Sequence, residues 1–144
     1  DYRLSGQDFS MLHSRFGPFS VDFFGSSFTA RCRPFFTLLD CAGAAGVDAF
    51  SADWGTWGNG FFHPPVGLVA KVLRYAEFCG ASGLLVVPDW PGSVFMARLR
   101  EKELEGRVAR VMRFKPKLEA PVWMKSNVFR GTPNFDFLAY TFSF

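Results

Sequence analysis

A helix and a strand within residues 66–88 restrict this chain to few folds. Val69, Val72, Leu73 and Ala76 fall on one face of a helix over Val66–Cys79, with Lys71, Arg74 and Glu77 turned away from it. Pro65 suits the opening of that helix, and Gly80 and Gly83 end it. The segment that follows, Gly83–Pro88 (GLLVVP), is apolar without alternation. A strand with one wet face alternates, so a continuous apolar strand needs cover on both faces. This pair of elements predicts a crossover unit in a mainly parallel sheet with helices packed on it, an α/β fold.

The remaining elements fit around that unit. Ser5-Gly6-Gln7-Asp8 reads as a helix start, Phe9, Leu12 and Phe16 recur at helical spacing, and Gly17-Pro18 stops the helix. His13 lies in this helix as a surface or packing residue. Phe19–Phe24 and Val47–Phe50 read as strands, and Asp53–Gly60 as a turn-rich loop. Within that loop Trp54 reads as a packing anchor and Trp57 as the more exposed indole. Ser93–Glu105 reads as a second amphipathic helix, and Val108–Phe114 and Phe135–Phe144 as closing strands that form an antiparallel C-terminal edge.

At 144 residues the chain is expected to be one domain, 1–144, able to bury roughly 70% of its unfolded surface. With 49% hydrophobic and 20% charged residues it is not a disordered chain. The apolar runs fall far short of the roughly 20 residues that span a bilayer, and the opening residues give no expectation of a signal peptide. A start at Asp1 instead of Met gives the expectation of a domain excised from a larger protein. Three cysteines (Cys32, Cys41, Cys79) without a CxxC pair fit free thiols in a reducing, intracellular compartment, nuclear or cytoplasmic, better than a disulfide frame or a zinc site. No metal is expected. The 19 phenylalanines must be largely core, with a surplus available to line a flat ligand site.

Charge is unevenly divided. Residues 98–125 carry nine cations against four glutamates, a local +5 in a chain of net charge +3. Within that segment Arg107, Arg110, Arg113, Lys115 and Lys117 form a stripe suited to a phosphate backbone. A solvated helix and hairpin with paired charges is the plainer alternative. Asp22, Asp48 and Asp89 each lie within or just after a short apolar run, where ligands bind in parallel sheets. Capping and turn formation is the plainer role for each.

Short motifs then recur in a telling order: FGPFSVDFFGSSFTARCRPFFT, VDAFSADW, GFFHPPVGLVAKVL and GASGLLVVPDWP, with RVMRF and FLAY near the end. Over about three quarters of the chain this order resembles the phage-type DNA adenine methyltransferase domain. It looks closest to the version carried in polyproteins of DIRS-group tyrosine-recombinase retrotransposons, downstream of reverse transcriptase and RNase H. The resemblance implies a Rossmann-like, S-adenosylmethionine-dependent methyltransferase sheet, DNA or RNA as partner, and contacts with those neighbouring domains. It also implies roles. Asp22, Phe24, Gly25 and Ser26 match the first cofactor motif, and Asp48 and Phe50 match the acidic and apolar positions near the cofactor adenine. His63, Pro64 and Pro65 match the catalytic block, in which a side chain and a proline carbonyl accept from the exocyclic amine of a flipped base. Here His63 stands where the family has Asn or Asp, and Val66 where it has an aromatic ring. A neutral imidazole accepts one hydrogen bond; a protonated one accepts none.

Three functions follow as expectations: methyl transfer from S-adenosylmethionine to adenine in DNA; a degenerate methyltransferase fold that binds nucleic acid or packs against a neighbouring domain; and, least favoured, a metal-dependent nuclease using Asp22, Asp48 and Asp53.

Overall fold

The computed structural model describes residues 3–25, 34–37, 46–119 and 134–144. The chain opens with β1 (Arg3–Leu4) and α1 (Gly6–Phe16), whose N-cap Ser5 accepts from the Asp8 N–H at 3.1 Å. β2 (Val21–Asp22), β3 (Phe36–Thr37) and β4 (Gly46–Val47) are short. Two 3-10 turns, Ala49–Ser51 and Trp54–Thr56, lead to β5 (Asn59–Phe62). A further 3-10 turn, Val66–Leu68, precedes α2 (Val69–Cys79), which is followed by β6 (Ser82–Pro88), α3 (Val94–Leu104) and β7 (Val108–Phe114). β8 (Leu118–Glu119) pairs antiparallel with β1, and β9 (Phe137–Ser143) is the last strand.

The fold is α/β around a five-stranded open sheet of order β2-β5-β6-β9-β7. β2, β5 and β6 are parallel. β9 runs antiparallel to both β6 and β7, so β7 points the same way as β6 and β9 is the one reversed strand of this sheet. β3 and β4 form a parallel pair, and a parallel bridge between Asp22 and Phe35 sets that pair beside β2. The Asp22 N–H donates to the Pro34 carbonyl at 3.1 Å and the Gly25 N–H to the Phe36 carbonyl at 2.9 Å.

Side-chain alternation along the central strands explains the apolar run seen in the sequence. Leu85 and Val87 of β6 join Val69, Val72, Leu73 and Ala76 of α2 and Phe95, Met96 and Leu99 of α3 in one core. Leu84 and Val86 face the other way, into a second core with Leu12 of α1. Burying each such side chain contributes about 1.5–3 kcal/mol, which offsets the entropy of ordering the strand.

Two glycines set the spacing of the sheet's centre. Gly60 of β5 faces Gly83 of β6 in register. A Cβ on Gly83 would meet the Gly60 carbonyl oxygen and come within 2.8 Å of Phe62 Cε2. The space is taken by the Phe23 and Phe62 rings, stacked at 4.8 Å and 25°. Gly83→Ala is therefore expected to cost about 2–3 kcal/mol by overpacking. A urea titration should show a lower midpoint at unchanged slope. An unchanged midpoint would mean the two strands can separate freely.

Several boundaries differ from the sequence expectation for visible reasons. Of the strand expected over Val47–Phe50, only Val47 is in a strand. Asp48 Oδ1 takes the Phe50 N–H at 3.1 Å and the Ser51 hydroxyl donates to the Asp48 carbonyl at 2.7 Å, closing a 3-10 turn instead. The strand expected over Phe19–Phe24 narrows to Val21–Asp22, where Asp22 Oδ1 takes the Phe24 N–H at 3.1 Å and bends the chain. The helix expected to start at Val66 begins as a 3-10 turn and turns α at Val69. Trp57 is half-buried, edge-on to Phe36 at 5.3 Å. The expected strand at Val108–Phe114 has the expected bounds. Among the described residues no helix is long and apolar enough to cross a membrane.

Candidate functional site

The carboxyl ends of the parallel strands are where a doubly wound sheet leaves room for a ligand. Asp22 ends β2, Asp48 follows β4, His63 follows β5 and Asp89 follows β6. Asp22 is buried at 3% exposure, an acceptor-only group set at a strand end. Gly25 is buried immediately beyond it. Ser26 lies outside the described residues, as do Cys32 and Cys41.

Asp48 has φ +61°, unusual for a residue with a side chain, and its carboxylate bond to the Phe50 amide holds the turn there. Phe24 and Phe50, from segments more than twenty residues apart, meet edge-on at 5.6 Å. Lys71 Nζ lies 4.2 Å from the centre of the Phe50 ring. Beneath them Trp54 is fully buried, as its anchoring role predicts, with its indole N–H on the Ala49 carbonyl at 2.8 Å.

His63 is half-buried and meets Phe137 edge-on at 5.5 Å. Burial pushes its pKa down from 6.5 to about 4. The imidazole is therefore neutral near pH 7 and keeps one ring nitrogen as an acceptor. Pro64 is buried and Pro65 exposed, and the Pro65 carbonyl accepts from the Leu68 N–H at 2.9 Å to start the turn into α2. Val66 is half-buried and brings no ring to this end.

An ion network that the sequence did not reveal occupies the same end of the sheet. Arg113, near the end of β7, bonds Asp89 directly and reaches Asp136 at 3.4 Å, while Lys115 reaches Asp136 at 3.2 Å. Lys115 first, and then Arg113, holds the Asp136 carboxyl below its ordinary range. Asp89 could be found from its place after an apolar run; Asp136, in the closing segment, carried no such mark.

The basic stripe is less free than its sequence suggests. Arg107 lies 3.7 Å from Glu77, while Arg113 and Lys115 share the two aspartates just named. Arg110 and Lys117 make no ion pair among the described residues. β7 is the edge of the sheet, with a register shift between Arg110 and Met112. Charge and irregularity on an edge strand also discourage pairing with another chain.

Among the described residues no three His, Cys, Asp or Glu side chains are grouped to hold a metal ion. Asp22, Asp48 and Asp53 each spend an oxygen on a nearby backbone N–H. The ligand cluster a nuclease would need is thus lacking among those residues. Among the described residues, a concavity of about 240 Å³ lies between Gly106–Ala109 and Thr141–Ser143 at the opposite end of the sheet, and another beside Arg100, Glu103 and Leu104 of α3. Neither touches Asp22, Asp48 or His63.

No family model and no curated protein matches this chain.

Proposed function

We propose that this domain is a methyltransferase-like module of a retroelement with a Rossmann-like sheet, which binds S-adenosylmethionine and transfers its methyl group to the exocyclic amine of adenine in DNA. One observation carries this proposal. Asp22 and His63, which the motif resemblance singles out, lie at the carboxyl ends of the neighbouring parallel strands β2 and β5, and Phe24, two residues past Asp22, meets Phe50 edge-on. The sheet's parallel strands and its antiparallel pairing toward the C-terminal side also agree with that resemblance.

The side chains suit the group in chemistry. A buried carboxylate at a strand end accepts from an ammonium, and the Phe24–Phe50 edge supplies an apolar wall for a purine. When bound, S-adenosylmethionine supplies an electrophilic methyl on a sulfonium. The protein's share is orientation. His63, neutral at physiological pH, and the Pro64 carbonyl would each accept one N–H of the amine and turn its lone pair outward. Arg107, Arg110, Arg113, Lys115 and Lys117 would contribute contacts to the nucleic-acid backbone.

The test is calorimetric titration of the folded chain with S-adenosylmethionine and with its demethylated product. The expected result is one-to-one binding, weakened at least tenfold in Asp22→Ala. No binding in a folded sample would overturn the cofactor site. The domain would then be a degenerate fold, consistent with Val66 in place of a ring.

A further inference from the structure

A connected row of rings crosses this end of the sheet. His63 meets Phe137, Phe137 lies nearly parallel to Phe135 at 5.8 Å, and Phe135 meets Trp90 edge-on at 5.5 Å. Trp90 is the outermost of these, 40% exposed. Its backbone is pinned between β6 and α3. The Trp90 N–H donates to the Pro88 carbonyl at 3.0 Å, and its own carbonyl accepts from the Ser93 N–H at 3.0 Å and the Ser93 hydroxyl at 2.7 Å. Phe135 and Phe95 touch the indole at 71° and 47°, so no described ring lies flat upon it. A rigid, partly exposed indole with no described ring flat upon it offers a face on which a planar group can stack.

Three cations bond chain neighbours of this row of rings. Arg100 donates to the Pro91 carbonyl at 3.1 Å, one residue beyond Trp90. Arg113 and Lys115 extend from the end of β7, with side chains 52% and 71% exposed. Asp89 and Asp136 hold the latter two in place and match their two formal charges, which leaves Arg100 as the net positive group here.

We propose that Trp90 is a stacking platform for an unpaired base, and that this end of the sheet binds single-stranded nucleic acid, with Arg100, Arg113 and Lys115 on its phosphates. The inference rests on the nucleic-acid part of the proposed function and not on methyl transfer. A duplex hides its base faces in its own stack and has none to offer Trp90. Every base has such a face, so single-strand binding should be tolerant of sequence. Because Asp89 and Asp136 offset local charge, the salt dependence should be shallower than a free stripe of five cations would give.

The experiment is fluorescence anisotropy of the whole chain at low salt with a labelled adenine-only strand and with its duplex. The single strand should bind more tightly than the duplex. Trp90→Ala should weaken single-strand binding about 5- to 150-fold, the range of one base–aromatic stack. Trp90→Phe should retain most of the affinity. Trp90→Leu, which keeps apolar bulk for folding, should lose it as the alanine does. Equal affinity in wild type and Trp90→Leu, a preference for duplex, or no binding at all would each overturn the inference. S-adenosylmethionine binding, measured in parallel on Trp90→Leu, should be unchanged. A chain that binds single strands through Trp90 but binds no cofactor would refute the methyltransferase function alone.

Discussion

Trp54→Ala is expected to cost about 5 kcal/mol, the upper end for a buried aromatic, and to leave little native protein. Trp54 has no solvent exposure. Five rings close around it: Tyr75 at 4.7 Å, Phe62 at 5.1 Å, Phe23 at 5.2 Å, Phe50 at 5.4 Å and Phe24 at 6.0 Å. Few of these could move into the gap, because Tyr75 is tied to the Ala52 carbonyl at 2.7 Å and Phe23 and Phe62 fill the space over Gly60 and Gly83. Truncation also strands the Ala49 carbonyl, which loses the indole N–H. Domains of this size are stable by about 5–15 kcal/mol, so the loss is a third of the total or more. Trp54→Phe keeps a ring and loses the N–H, and should cost about 1–2 kcal/mol. Urea midpoints followed by circular dichroism separate the two variants. A Trp54→Ala midpoint near the wild type would mean that the aromatic cluster is not packed as described.

Acidification is expected to weaken the fold through His63. The folded pKa is about 4 against 6.5 for a free imidazole. The unfolded chain therefore binds a proton that the folded chain refuses. Stability from this group is complete above pH 6.5 and falls as the pH drops toward about 4, below which it changes no further. The loss is at most about 3.4 kcal/mol, from 1.36 kcal/mol per unit. Carboxylates such as Asp136 also titrate at acid pH, so the comparison needs a control. His63→Gln cannot take up a proton, and its stability should decline less between about pH 6.5 and 4.5. If wild type and His63→Gln lose stability in parallel, His63 is not desolvated and its role as a neutral acceptor fails with it.

The parts legible in the sequence are those fixed locally. The helical face of Val69, Val72, Leu73 and Ala76 and the run Gly83–Pro88 place α2 and β6 because the period of burial is written in adjacent residues. β7 keeps its expected bounds because Gly106 and Pro116 punctuate its two ends. β1 and β8 were invisible. A two-residue strand has no period, and its pairing joins Leu4 to Leu118 across most of the chain. The turn at Asp48 departs from the strand that Val47, Ala49 and Phe50 predict because Asp48 and Ser51 close it with capping hydrogen bonds. At the site, residue types were legible while their state was not. That His63 is neutral depends on its burial, against Phe137 among others, and that Arg113 is held depends on Asp136, both from a distant segment.

β9 has a consequence for how the chain is made. It lies between β6 and β7, yet among the described strands it emerges from the ribosome after all the others. Until residues 137–143 emerge, β6 lacks one neighbour and β7 lacks its only described one. The sheet thus cannot close until β9 appears, and two long, partly apolar strand edges wait in the open. Closing over such a separation is slow. The nascent chain passes through its most aggregation-prone stage late, and a ribosome-bound or holdase-type chaperone would matter most in the interval between the appearance of β7 and that of β9.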